Sequence, residues 1–486
     1  MKVVHPSRVR RGALAIALLV SALAAAVGAR QMPDRSKAPV PGPAPSLKLP
    51  PITRQTLSNG LPVWIVPMHE VPVVDISLIV KSGSAADPTG KYGLANFTAA
   101  MLDEGAGTRN ALELADAIDF LGASLTTGNG VDSSTVRLHA LVSKLDDALP
   151  LMADVALRPT FPATEMERLR KERLTSILQT RDDAAALASL AYSRLLFGPA
   201  HRYGTAIMGG EATNKALTVE ELGRFYSAHY QPQNSVLLVV GDVTESAVVP
   251  KLERAFGAWK NAGTIPRTVI PVAPQPASRQ ILLVDKPGAP QSQIRMGWVG
   301  VARNTPDYFV LDVMNTLLGG SFTSRLNQNL REEHGYTYGA SSSFSMRASP
   351  GPFTAGAGVQ TDKTVESLTE FFKEIDGMHA PVPPDDLARA RNLEALGFPG
   401  DFETTSSVAA RVSELVVYNL PDSFFNEYVP KIQAVSAGDL SRAANQYLQS
   451  GRFIVVVVGD LSKIEQPIRA ANFGPVRVVP LSEILD

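Results

Sequence analysis

Cysteine is absent from the 486 residues. That rules out a disulfide framework, and no cysteine near the N-terminus can carry a lipid. Histidine is scarce: His5, His69, His139, His201, His229, His334 and His379 are all there are, and no two stand three or four apart. No pair of imidazoles can therefore share one helical face around a metal. Neither sign of charge is in excess, with 46 Lys+Arg against 47 Asp+Glu and no long block of either. No nucleic-acid partner is expected on that ground, and no anionic membrane surface is implied.

Only one apolar run is long, and it lies at the start. Lys2, Arg8, Arg10 and Arg11 precede an apolar stretch over 12–27, and Val27-Gly28-Ala29 supplies small residues for cleavage. This layout predicts a secretory signal peptide over 1–29, with the mature chain starting near Arg30. The alternative is a retained single-pass anchor, but the run is shorter than the about 20 residues a span needs. No stable membrane span is expected after cleavage. Export without cysteine fits a bacterial periplasm. Residues 30–51 form a linker whose later part, SKAPVPGPAPSLKLPP, is an extended proline-rich tether.

From Ile52 onward the composition is globular, and the chain repeats itself. Residues 235–243 read SVLLVVGDV and residues 452–461 read RFIVVVVGDL. Each is a β-branched run closing on Gly-Asp, and each is preceded by an amphipathic helical pattern, over 218–229 and 436–447. Earlier in each half two strands are expected to pair, 61–67 with 73–81 and 280–285 with 291–301, before a helix begins. Two homologous α+β domains follow, over 52–260 and 279–475, joined by a linker at 261–278 and followed by a tail at 476–486. Each should be a mainly antiparallel sheet with helices packed on one face. Further helices are predicted at 92–102, 111–121, 145–157, 164–179, 185–197, 306–318, 323–333, 364–375, 384–396 and 404–417. Further strands are predicted at 124–127, 133–141, 337–346 and 353–360.

Residues 315–350, NTLLGGSFTSRLNQNLREEHGYTYGASSSFSMRASP, hand a helix over to a strand at Gly335. Arg331 falls in the last helical turn and Tyr338 at the start of the strand. One guanidinium and one phenol can converge there, two donors suited to a carbonyl or a developing oxyanion. The same residues also read as an arginine favoured by a helix C-terminus and a tyrosine favoured in a strand. The strand over 337–346 reads either as an edge to which a peptide adds or as an ordinary wet edge.

The first half contains Gly83-Ser84, then Tyr92-Gly93-Leu94-Ala95-Asn96-Phe97-Thr98-Ala99-Ala100-Met101-Leu102-Asp103-Glu104-Gly105. This resembles the zinc-helix segment of the pitrilysin, insulin-degrading-enzyme and mitochondrial-processing-peptidase family, the inverzincin peptidases M16. There a Gly-Leu-Ala helix carries H-x-x-E-H, two imidazole ligands and a general base. The matching positions here are Asn96, Ala99 and Ala100, and all three groups are missing. The family's third ligand is a glutamate seven residues after another glutamate; from Glu172 this places Gln179. An amide is a poor zinc ligand.

His201, in Pro199-Ala200-His201-Arg202-Tyr203-Gly204, resembles the family's structural turn. Asp103 and Glu104 are expected at a solvated helix end.

The second half resembles the family where Gly319-Gly320-Ser321-Phe322-Thr323-Ser324-Arg325-Leu326 leads to Leu330-Arg331 and Tyr338. In that family the arginine and tyrosine orient the substrate backbone. Tyr336 competes for the phenol role but stands five residues from Arg331, not seven. The resemblance covers 52–475 and implies the family's LuxS/M16-like fold. It also implies a non-zinc subunit in a heterodimer with a zinc-motif homologue, closing on an unfolded peptide. Zinc would reside in the partner, and this chain would supply Arg331 and Tyr338 and be inactive alone. The alternative is an inactive scaffold, or a peptide-binding homodimer, that acts without a zinc partner.

Overall fold

Two apolar runs set the architecture, because a strand apolar on both faces must lie mid-sheet. The computed structural model describes residues 42–43 and 48–485, so the expected signal peptide over 1–29 and most of the 30–51 linker lie outside the described residues. The first sheet contains β1 (Thr53–Thr56), β2 (Pro62–Pro67), β3 (Val73–Val80), β4 (Ser124–Asn129), β5 (Ser134–Leu141) and β6 (Ser235–Gly241), in the spatial order β1-β2-β6-β3-β5-β4. Every residue of β6 is buried. It runs parallel to β2, with Ile65 opposite Val239, and antiparallel to β3, with Ile76 opposite Val239.

The second sheet repeats the plan with β7 (Gln280–Asp285), β8 (Gln291–Val299), β9 (Thr337–Phe344), β10 (Pro352–Gln360), β11 (Ile454–Gly459) and β12 (Val476–Val478), in the order β9-β10-β8-β11-β7-β12. The fully buried β11 again separates the two strands that open its half. The expected direct pairings of β2 with β3 and of β7 with β8 are therefore corrected. In each half the later Gly-Asp strand inserts between them, which buries both of its apolar faces.

The helices that position the site are α1 (Leu94–Ala100), α2 (Ala163–Asp182), α3 (Ala184–Phe197), α4 (Tyr308–Asn315), α5 (Pro384–Gly397), α6 (Thr405–Tyr418), α7 (Tyr428–Ala434) and α8 (Leu481–Leu485). Each half covers one face of its sheet with its own helices. Leu149, Leu222 and Leu252 pack with Val63 and Val239 in the first half; Leu368, Phe371 and Ile464 pack with Ile281 and Val457 in the second.

The opposite faces are closed by exchange. From the second half, α6 sets Val408 and Val412 in the core that holds Val66, Ile79 and Leu238 of the first sheet. In return, α3 sets Leu187, Ala191 and Tyr192 against Leu282, Val456 and Val458 of the second. The buried Tyr192 hydroxyl donates to the Phe353 carbonyl. Tyr192→Phe should lower stability by about 1 to 2 kcal/mol, the range for one lost buried hydrogen bond, read as a shifted denaturation midpoint with an unchanged far-UV spectrum.

The 261–278 stretch contains neither helix nor strand. It is pinned nonetheless: His201 Nε2 donates to Pro271 O (2.8 Å) and Ser349 Oγ to Ile270 O (3.0 Å). Residues 476–485, expected as a tail, contribute β12, which pairs parallel with β7, and α8, whose Ile484 is buried in the α3 core. Among the described residues no helix is long and apolar enough to cross a membrane.

Candidate functional site

The α1 helix is fixed at its N-terminus by Asp87. The carboxylate accepts from Gly93 N (2.8 Å) and Ala95 N (2.7 Å), and it pairs with the buried Arg202 guanidinium at 2.9 Å. Asn96 and Ala100 lie one turn apart on the half-buried face of α1, while Ala99 points into the core. Asn96 is already engaged: its Oδ1 accepts from Arg173 Nη1 at 2.8 Å. Arg173 is buried, stacks 4.5 Å over Phe97, and donates to Asn214 Oδ1 (2.7 Å) and Met208 O (2.9 Å). Desolvation lowers its pKa to about 10, which leaves it cationic at neutral pH.

An amide, two methyl groups and a guanidinium do not fit a zinc ion, which requires imidazole, thiolate or carboxylate donors. Among the described residues no three His, Cys, Asp or Glu side chains group so as to hold a metal ion.

Gln179 is exposed on α2 together with Glu172, two helical turns before it, and it is Arg173 that bonds to Asn96. His201 caps the short turn Arg202–Gly204, with Nδ1 accepting from Tyr203 N at 3.1 Å. Asp103 and Glu104 do not form a solvated end. Burial, with Glu104 adding repulsion, raises the Asp103 pKa, and Glu104 pairs with Arg168 at 2.5 Å.

Arg331 and Tyr338 are brought together. The segment Arg325–Asn327 is α-helical but continues as a π-helical turn over Gln328–Glu333, where the spacing predicts an ordinary helix. A second π turn, Thr316–Gly320, precedes it. A Cβ on Gly319 would meet the backbone nitrogen of Ser342 at 2.3 Å, so only glycine permits this approach to β9. Leu326 and Leu330 anchor the segment in the core, and Gly335 reverses the chain at φ +66.

The strand β9 then opens with a bulge between Thr337 and Ala340. A bulge turns a side chain out of register, and Tyr338 is 88% exposed. Its ring centroid lies 5.1 Å from Arg331 Cζ. Tyr336 instead stacks on His334, with ring centroids 4.9 Å apart. At the edge of the sheet Ser341 and Ser343 are exposed, while Ser342 is buried and donates to Asn315 Oδ1 at 2.8 Å.

Two features leave no signal in the sequence. One is the placement of Phe322, 62% exposed on the GGSFTSRL stretch, whose ring lies 4.5 Å from Arg331 Cζ. The other is a carboxyl pair beside α4. Tyr428 Oη stands 2.5 Å from Asp312 Oδ2 and 3.1 Å from Glu394 Oε2, linking α4, α5 and α7 in a cleft of about 360 Å³.

Desolvation, then the charge of Glu394, raise the Asp312 pKa to about 6. A folded value above the unfolded one contributes stability that is complete below the unfolded pKa and lost as pH rises through the folded pKa. Stability should therefore fall by about 3 kcal/mol between about pH 4 and pH 7 through this group. Asp312→Asn should remove that component, read as the difference between wild-type and variant denaturation midpoints across the same pH range.

Paired sheets with exchanged helices define the class: a chain of two sheet-bearing domains. The chain belongs to the insulinase family, peptidase M16. The model described as "Insulinase (Peptidase family M16)" matches residues 64–194, and "Peptidase M16 inactive domain" matches 216–394. An uncharacterized zinc protease of Streptomyces coelicolor is 26% identical over 82% of this chain and 87% of its own. One from Rickettsia bellii is 24% identical over 82% and 96%. Among solved structures, the peptidase M16 inactive domain from Pseudomonas fluorescens aligns with a TM-score of 0.78 at 25% identity, covering 84% of this chain and 98% of that one. A Helicobacter pylori protease reaches the same TM-score at 22% identity, a likeness of fold, over 84% and 100%.

Proposed function

We propose that this chain is the non-zinc, substrate-binding subunit of a two-chain periplasmic peptidase, with zinc and its water held by a zinc-motif homologue. One contrast carries the reading. The helix that would need metal ligands offers Asn96, Ala99 and Ala100, the first already bonded to Arg173, whereas Arg331 and Tyr338 meet at an exposed bulge. In this role the two donors hold the scissile carbonyl of an unfolded peptide and stabilise the oxyanion that develops on it. The match of 216–394 to the inactive-domain model supports the assignment, because that span contains both residues.

The test is metal analysis and peptide cleavage by this chain alone, then by its mixture with a zinc-motif homologue from the same cell. Little metal and no cleavage alone, with cleavage on mixing, is the expected result. Stoichiometric zinc and proteolysis by the isolated chain overturn it. A stable inactive homodimer, unchanged by the homologue, points instead to a peptide-binding protein without a metal partner.

A further inference from the structure

The exposed face around Arg331 holds a second aromatic ring besides Tyr338. The Phe322 ring lies 4.5 Å from Arg331 Cζ and the Tyr338 ring 5.1 Å, so both rings flank one guanidinium. Both are also solvent-facing, at 62% and 88% exposure, so neither serves the core. The loop that carries Phe322 is tied to the bulge that carries Tyr338 by one buried side chain. Asn327 Nδ2 donates to Phe322 O at 2.7 Å, and its Oδ1 accepts from Ala340 N at 3.3 Å. Arg331 Nε faces Glu332 Oε1 at 3.4 Å, and among the described residues no acceptor is hydrogen-bonded to the terminal nitrogens, which are donors only.

We propose that Phe322 is a positioning residue for Arg331: its ring fixes the guanidinium so that the free N–H edge meets a peptide carbonyl. This rests on the peptide-holding role given above to Arg331 and Tyr338. A cation over an aromatic face is attracted by the ring quadrupole, which an aliphatic side chain of similar size lacks.

The test is the affinity of the chain, alone and mixed with its zinc-motif homologue, for a short unstructured peptide carrying a fluorescein label, read by anisotropy. Phe322→Ala and Phe322→Leu are both expected to weaken binding about fivefold, and Phe322→Tyr to restore it, with thermal midpoints unchanged because the ring is exposed. Arg331→Ala and Tyr338→Ala should weaken binding further. If those two weaken binding while Phe322→Ala does not, or if leucine restores binding as well as tyrosine, this inference is overturned and the role of the pair stands. If wild type binds no peptide, or no variant changes its binding, both fall together.

Discussion

In the two-chain peptidase proposed above, Arg331→Ala is expected to lower turnover by about 10²–10³, the loss seen on removing one oxyanion donor elsewhere, while the zinc content of the complex stays the same. The two readouts separate because the guanidinium lies in the second half, on the π turn Gln328–Glu333, and among the described residues it pairs with Glu332 rather than with α1. A role in catalysis alone predicts lost turnover with intact assembly. Full activity in the variant complex would remove Arg331 from the mechanism, and lost assembly would make it an interface residue instead.

The largest stability effect is expected at Asp87. Its side chain is fully buried, pairs with an Arg202 side chain that is only 5% exposed, and accepts the first amides of α1. Burial raises the Asp87 pKa, opposed by Arg202 and by the two amide bonds. Asp87→Ala would strand a guanidinium in the core and uncap the helix. Breaking a buried pair on one side costs about 3–5 kcal/mol, so the denaturation midpoint should fall sharply. Removing both partners together should cost less than the single change, and a double variant no better than Asp87→Ala would refute the pairing.

Much of the fold is legible along the chain. The β-branched runs of β6 and β11 announce strands, and the amphipathic spacing over 145–157 gives that helix its observed bounds. Their partners are not legible, because insertion between two earlier strands is settled by burial of both faces, a tertiary matter. The π turns also escape, since the spacing over 306–318 and 323–333 suits ordinary helices. At the site, the separation of Arg331 and Tyr338 is visible, but Phe322 joins them only through the bonds of Asn327. The seven-residue offset of Gln179 from Glu172 says that the two share a face, not which way that face looks.

The exchange of α3 and α6 ties each half to the other. Each half wears a piece of the other as its outer wall, so discarding the ligand-poor half would strip apolar cover from the one that keeps the arginine. The first half is needed for that cover whatever chemistry its own helices carry.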